Sequence, residues 1–113
     1  MTGVYHYTCR HTAKRIGRRG VLVPTPQPFL GGVELVWLTD LADPDREGLG
    51  LTSNMIACDR TEVRYRVLDA STVQAWRTYK LRLDRSHVSA LEFGHRHGSW
   101  YVSTAPVPVE LAP

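Results

Sequence analysis

The side chains with the most evident chemistry in this sequence are the arginines near its N-terminus. Residues 1–33 carry five basic side chains and no acidic one, since the first carboxylate is Glu34; the five are Arg10, Lys14, Arg15, Arg18 and Arg19. The guanidinium group is a planar fork that grips a phosphate at two points, whereas an ammonium group is a point charge. The pattern predicts an anionic, phosphate-bearing partner near the N-terminal third. The alternative is a solvated helix face.

Two further sets of side chains could support catalysis or metal binding. Cys9 lies close in sequence to His6 and His11, and an adjacent imidazole or a helix N-terminus would lower its pKa. No partner signature accompanies it, so a small buried thiol is the favoured interpretation. His95 and His97 would point the same way from a strand, but they lie between two glycines in an expected turn. Because no cysteine or aspartate set completes the pair, no metal site is predicted.

Several classes of protein are disfavoured by motif and composition. The sequence has no Walker loop, no GxGxxG and no GxSxG, which excludes P-loop, Rossmann and α/β-hydrolase chemistry. No stretch approaches the ~20 apolar residues that cross a bilayer, so no membrane partner is predicted. The N-terminal residues lack the features of a secretory signal, and two cysteines are too few for a disulfide scaffold. We therefore expect a cytoplasmic protein with reduced thiols.

The elements that must position these side chains fit into one domain. With 113 residues, 42% hydrophobic and 22% charged, the chain has the composition of a globular domain and can build one modest core. A short strand is expected over residues 4–7, and Thr8 is expected to cap a helix over 9–19 that stops at Gly20. The inward face of this helix would hold Ala13 and Ile16.

The rest of the chain predicts short strands and one or two more helices. The proline-rich segment 21–28 predicts an extended path that cannot be a central strand, and residues 33–39, apolar on both faces, predict a central one. We further expect a loop over 40–50, a helical turn over 51–57, a half-buried strand over 62–68 and a helix over 72–81 that is capped by Ser71. Residues 88–93 fit either a helix or a strand, and residues 94–98 predict a turn. A last strand is expected over 100–104, and Pro106 and Pro108 restrict its continuation to an edge position. The order indicates an α+β fold with a mostly antiparallel sheet.

Three segments in this order resemble a known family. They are Tyr5-His6-Tyr7-Thr8 with its following helix and Val21–Pro24, then Val36-Trp37-Leu38-Thr39-Asp40, then Trp100–Ser103 with Val107–Glu110. In order and spacing they resemble the ADP-ribosyltransferase-like fold, especially small bacterial and phage members related to toxin-type transferases. The resemblance implies a single domain over residues 1–113 with a mostly antiparallel split sheet and two or three short helices.

The resemblance also implies a function and a site. The chain would be an NAD-dependent mono-ADP-ribosyltransferase-like effector, a toxin or a phage-encoded modifier, that transfers ADP-ribose from NAD to a macromolecular acceptor, either protein or nucleic acid. His6 would hydrogen-bond the adenosine ribose, and Thr8 would orient it. Aromatic side chains would stack on the nicotinamide, Arg10 or Arg15 would face the pyrophosphate, and the extended segment Pro24-Thr25-Pro26 would border the cleft. The aromatic candidates are Tyr7, Trp37 and Tyr101, and Tyr5 and Thr39 of the same motifs would complete the site.

One departure from the family pattern concerns the catalytic glutamate. Related sequences tend to place Glu or Gln directly before the late tryptophan, where this chain has Ser99. Glu92, in an Ala-Leu-Glu-Phe context, is the predicted catalytic carboxylate, and Glu110 is interpreted as a surface residue. If no carboxylate reaches the site, the chain would be a degenerate, non-catalytic module that binds NAD, ADP-ribose or another nucleotide. A basic nucleic-acid-binding protein and an inhibitory interaction protein are the further alternatives.

Overall fold

Eight strands and three short helices follow one another along residues 3–42, 62–95 and 97–112, which are the residues described by the computed structural model. Single 3-10 turns at Pro28–Leu30, Lys80–Arg82 and His97–Ser99 connect some of them. The strands are β1 (Tyr5–Thr8), β2 (Arg19–Leu22), β3 (Thr25–Gln27), β4 (Val33–Thr39), β5 (Val63–Val67), β6 (Val73–Ala75), β7 (Trp100–Ser103) and β8 (Val107–Ala112). The helices are α1 (Arg10–Ile16), α2 (Trp76–Tyr79) and α3 (Arg85–Glu92).

The strands form one curled antiparallel sheet in the order β2-β8-β5-β1-β4-β7-β6, and β3 pairs separately with β4. The predicted small α+β domain with a mostly antiparallel sheet is thus confirmed. The strand predicted over residues 33–39 is β4, with β7 on one edge and β1 and β3 on the other. The strand predicted over 62–68 is β5.

The edge of β4 that faces β1 is shared between two partners, and this divides the sheet. In the described residues β1 meets β4 at one register position, Tyr5 opposite Thr39. The start of β4 pairs instead with β3, with Thr25 opposite Leu35 and Gln27 opposite Val33. Between these two pairings, at residues 36–38, this edge of β4 is paired with neither β1 nor β3. The sheet therefore opens into a cleft with β1 on one side and β3 and β4 on the other.

Side chains alternate along β4 between two hydrophobic clusters, one on each face of the sheet. Val36 and Leu38 belong to the first cluster, whereas Leu35 belongs to the second and Trp37 packs against it. This follows from the two-residue period of a strand. Helix α1 covers the first cluster with Ala13 and Ile16, as predicted; α2 and α3 cover the second with Trp76, Tyr79, Val88 and Leu91.

The first helix is shorter than predicted. It begins after Cys9 and ends at Gly17, whose φ of 78° lies in the region that favours glycine. Thr8, the predicted cap, is the last residue of β1, and Gly20, the predicted stop, lies within β2. A Cβ on Gly20 would lie 2.5 Å from the carbonyl oxygen of Ile16, so this glycine allows β2 to pass close to the helix end.

The prediction of a helix over 72–81 was wrong for the first half of that segment. Residues 73–75 form β6, because they pair with β7 through Val73 and Ser103 and through Ala75 and Tyr101; α2 begins only at Trp76. The ambiguous segment over 88–93 belongs to α3, for which Asp84 accepts the first backbone N–H groups. The helical turn predicted over 51–57 lies outside the described residues.

The prediction that Pro108 restricts the last strand to an edge was also wrong. Strand β8 lies between β2 and β5. The carbonyl of Pro108 accepts from the N–H of Leu68, at the end of β5, and Pro108 stands opposite Val21 of β2. The N and the C=O of one residue point to the same side of a strand. The nitrogen of Pro108, which carries no hydrogen, therefore points toward the end of β5.

Candidate functional site

A cleft of about 530 Å³ occupies the opening between β1 and β4. Its size is that of small-molecule and cofactor sites in general. The wall on the β1 side also receives Thr12 from α1, and the opposite wall receives Leu91 from α3 and His95 from the turn that follows it. The full lining is Tyr5, His6, Tyr7, Thr8, Thr12, Thr25, Gln27, Phe29, Trp37, Leu38, Thr39, Leu91, His95 and Trp100.

His6 lies where the sheet divides. Its Nδ1 is 2.8 Å from the backbone carbonyl oxygen of Trp37, on the strand across the opening. A carbonyl oxygen can only accept, so Nδ1 carries the proton, and in the neutral ring Nε2 is an acceptor. The bond also joins β1 to β4 just past their register pair. His6 therefore has a defined ring orientation and a defined tautomer at the cleft.

An aromatic wall stands behind the opening. Trp37 and Trp100 both line the cleft, with ring centroids 5.6 Å apart in an edge-to-face arrangement, and the fully buried Trp76 is 5.1 Å from Trp37. Phe29 is a further lining ring and is 58% exposed. Large ring faces at a cleft suit a planar heteroaromatic ligand such as a nicotinamide or an adenine. The prediction that Trp76 and Trp100 are core residues is confirmed, and Trp100 also reaches the cleft.

Short hydrogen bonds hold the polar lining residues in place. The Tyr7 hydroxyl is 2.8 Å from the carbonyl oxygen of Leu41 and 2.7 Å from that of Ala42. The Oγ1 of Thr39 accepts from the N–H of Leu41 at 3.2 Å. These bonds fasten residues 41–42 over the end of β1, next to the cleft.

Six of the predicted site residues come together in this lining: Tyr5, His6, Tyr7, Thr8, Trp37 and Thr39. The other five, Arg10, Arg15, Pro24, Tyr101 and Glu92, do not line it. Arg10 is exposed and pairs with Glu62 at 3.3 Å, and Arg15 is exposed on α1. Pro24 is half-buried beside the lining residue Thr25, and the hydroxyl of Tyr101 lies 3.5 Å from a carboxylate oxygen of Asp40.

The carboxylate of Glu92 lies beside the cleft rather than in its lining. Its Oε2 accepts from Trp76 Nε1 and from Lys80 Nζ, each at 2.8 Å, and is 3.2 Å from Nδ1 of His97. Burial opposes ionisation of this carboxyl, but the hydrogen bonds from Lys80 and Trp76 outweigh it, so the pKa of Glu92 lies below its ordinary value. In this position the carboxylate anchors the aromatic wall from behind. Its catalytic assignment stays a prediction.

Thr25, in the segment predicted to border the cleft, does line it, and seven lining residues were not among the predicted set: Thr12, Gln27, Phe29, Leu38, Leu91, His95 and Trp100. His95 had a detectable signal, because its pairing with His97 had marked the segment, although for metal binding. Its ring lies 6.1 Å from that of Trp100. Gln27 and Phe29 gave no signal in the proline-rich segment, because only the pairing of β3 with β4 brings them to the cleft.

Among the residues that the structure describes, His, Cys, Asp and Glu side chains form no cluster of three or more that could hold a metal ion. The Sγ of Cys9 is 3.5 Å from Oγ1 of Thr12, and the thiol is buried. No helix within the described ranges is long and apolar enough to cross a membrane.

Comparison with known proteins gives no further guidance. No family model, no curated protein and no solved structure matches the chain.

Proposed function

We propose that this chain is an ADP-ribosyltransferase-like protein that binds NAD in the cleft between β1 and β4 and transfers ADP-ribose to a macromolecular acceptor. The observation that carries the proposal is the position of His6. The histidine of the Tyr-His-Tyr-Thr motif stands where the sheet divides, in the lining of a cleft of about 530 Å³ that Trp37 and Trp100 also line. The resemblance in sequence implied that His6 binds the adenosine ribose, and the three motif segments include the strands β1, β4 and β7, each of which gives residues to the cleft lining.

The lining residues suit the parts of NAD. The Nε2 of His6 can accept from a ribose hydroxyl, and the hydroxyls of Thr8 and Thr39 can donate or accept nearby. The ring of Trp37, which is half-buried and lines the cleft, can take a planar base by stacking. NAD supplies the glycosidic bond to nicotinamide that transfer would break.

Binding and turnover separate the proposal from simpler alternatives. We expect NAD and ADP-ribose to bind the wild-type protein in calorimetric titrations, and His6→Ala to weaken both by about tenfold or more, since a buried hydrogen bond to the ribose is lost. His87→Ala is the matched control, because His87 is exposed on α3 and does not line the cleft. Release of nicotinamide, with labelling of a macromolecule from a lysate, tests the transfer step.

A non-catalytic nucleotide-binding module is the second candidate function. The observation in its favour is that the described residues lining the cleft include no aspartate or glutamate. A transferase needs a carboxylate near the ribose to stabilise positive charge as the bond breaks. NAD binding that depends on His6 without nicotinamide release would favour the module. Absence of NAD and ADP-ribose binding would contradict both candidates.

A further inference from the structure

An arginine-rich groove of about 600 Å³ lies at the end of strands β2, β5 and β8. Arg18 and Arg19 line it from the start of β2, and Arg64 lines it from β5. Arg66, two residues on from Arg64, belongs to the same face of the sheet. We call this the arginine groove; its remaining lining residues are Glu62, Val63, Glu110, Leu111 and Ala112.

Among the described residues around this groove, arginine side chains outnumber carboxylate side chains. Glu110 is shared by two guanidinium groups, Arg19 at 3.3 Å and Arg66. Those hydrogen bonds lower the pKa of Glu110, so it is ionised at neutral pH and balances one of its two partners. Glu62 pairs with Arg10 from α1. The described residues in and next to the groove thus include five arginines and two carboxylates. The arginines are Arg10, Arg18, Arg19, Arg64 and Arg66, and the carboxylates are Glu62 and Glu110.

The arginine groove meets the cleft at Arg64. Its guanidinium carbon lies 5.0 Å from the centre of the Tyr5 ring, and Nη1 donates to the carbonyl oxygen of Ala42. The Tyr7 hydroxyl contacts the same carbonyl oxygen. Since Tyr5 and Tyr7 both line the cleft, Arg64 lies between the groove and the cleft among the described residues.

We propose that the arginine groove binds the sugar-phosphate backbone of a single-stranded nucleic acid and presents it to the cleft as the acceptor. This rests on the proposed function and names its acceptor class. Arginine forks match phosphates, which recur along such a strand. Exposed apolar side chains are also at hand: Leu111 in the groove lining is 42% exposed, and Val21, two residues on from Arg19 and hence on the same face of β2, is 53% exposed. Unpaired bases can contact such side chains, whereas the bases of a duplex are covered.

The test measures binding of a fluorescent single-stranded oligonucleotide to the full chain by anisotropy, at salt concentrations from about 50 to about 200 mM. We expect the logarithm of the affinity to fall linearly with the logarithm of salt, and the double variant Arg19→Gln/Arg66→Gln to bind about fivefold or more weakly, with a slope smaller by about 0.7 for each arginine that contacts phosphate. Glu110→Gln should bind more tightly than wild type, because it removes an anion and releases both arginines.

Matched controls keep the outcome decisive. Arg85→Gln removes an exposed arginine from α3, outside the groove, and should leave the affinity near wild type. Equal losses for Arg85→Gln and for the double variant would overturn the proposal, as would absence of binding at low salt or tighter binding of the duplex of the same sequence. NAD binding, measured in parallel without nucleic acid, should be unchanged in the groove variants. If the wild-type protein does not bind NAD, that result counts against the nucleotide site in the cleft and not against the arginine groove.

Discussion

At the scale of single residues, the partner of His6 decides what that histidine can do. A backbone carbonyl, unlike a carboxylate, holds one ring nitrogen as a donor without adding a negative charge. The 2.8 Å bond to Trp37 thereby fixes the tautomer that leaves Nε2 as an acceptor. The Tyr-His-Tyr-Thr motif could identify His6 as a candidate, but the identity of its partner depended on which strand came to lie opposite.

Glu92 has a structural function in this fold, and its replacement tests that function. Glu92→Gln removes the charge that faces Lys80 and His97, so we expect the free energy of unfolding at neutral pH to fall by about 1–2 kcal/mol. Because folding lowers the pKa of Glu92, its contribution is present above the pKa of an unfolded glutamate, about 4.3, and is lost as the pH falls through the lower folded value. The difference between variant and wild type should therefore shrink in acid.

Urea unfolding at pH 7 and at about pH 3 measures this difference, with Glu34→Gln, at an exposed side chain near the start of β4, as the control. The control should stay within about 0.5 kcal/mol of wild type at both pH values. Equal stability of Glu92→Gln and wild type at pH 7 would contradict the structural function. If such a stable variant had also lost nicotinamide release, the catalytic prediction would gain support.

At the scale of elements, alternation and proline placement predicted most of the strands. The sequence pattern was sufficient to locate β4 and β5 along the chain. Strand β4 is apolar on both faces, and β5 is apolar on alternate residues. The sequence did not indicate that the short segment 73–75 pairs with β7 rather than extending a helix, since that pairing is tertiary. The cleft itself arises because β1 and β3 share one edge of β4, and no local pattern encodes such sharing.

Gly20 provides a direct test of how α1 and β2 fit together. In Gly20→Ala the new Cβ would lie 2.5 Å from the backbone oxygen of Ile16, so the backbone must shift. We expect a loss of about 1–3 kcal/mol in the free energy of unfolding. Gly98→Ala is the control, because its Cβ would meet nothing within 4 Å, and it should change stability by less than about 0.5 kcal/mol. Equal effects of the two substitutions in urea unfolding would show that the close approach is not maintained.

At the scale of the whole molecule, the charge asymmetry of the sequence becomes a surface. The basic residues of the N-terminal third were expected to face a nucleotide phosphate from α1, but neither Arg10 nor Arg15 lines the cleft. Arg18 and Arg19 instead join Arg64 along the arginine groove. The sequence could indicate an anionic partner, but the meeting of residues from β2 and β5 required the pairing of both strands with β8.

The side-chain nitrogen resonances of the five histidines test the proposed nucleotide site at His6 in one titration. In a long-range proton–nitrogen NMR spectrum, His6 should show the pattern of a ring protonated at Nδ1. On addition of NAD, the resonances of His6 and His95 should move, because both line the cleft, while those of the exposed His11 and His87 stay in place. Movement confined to His11 or His87, or no movement at saturating NAD, would contradict a nucleotide site at His6.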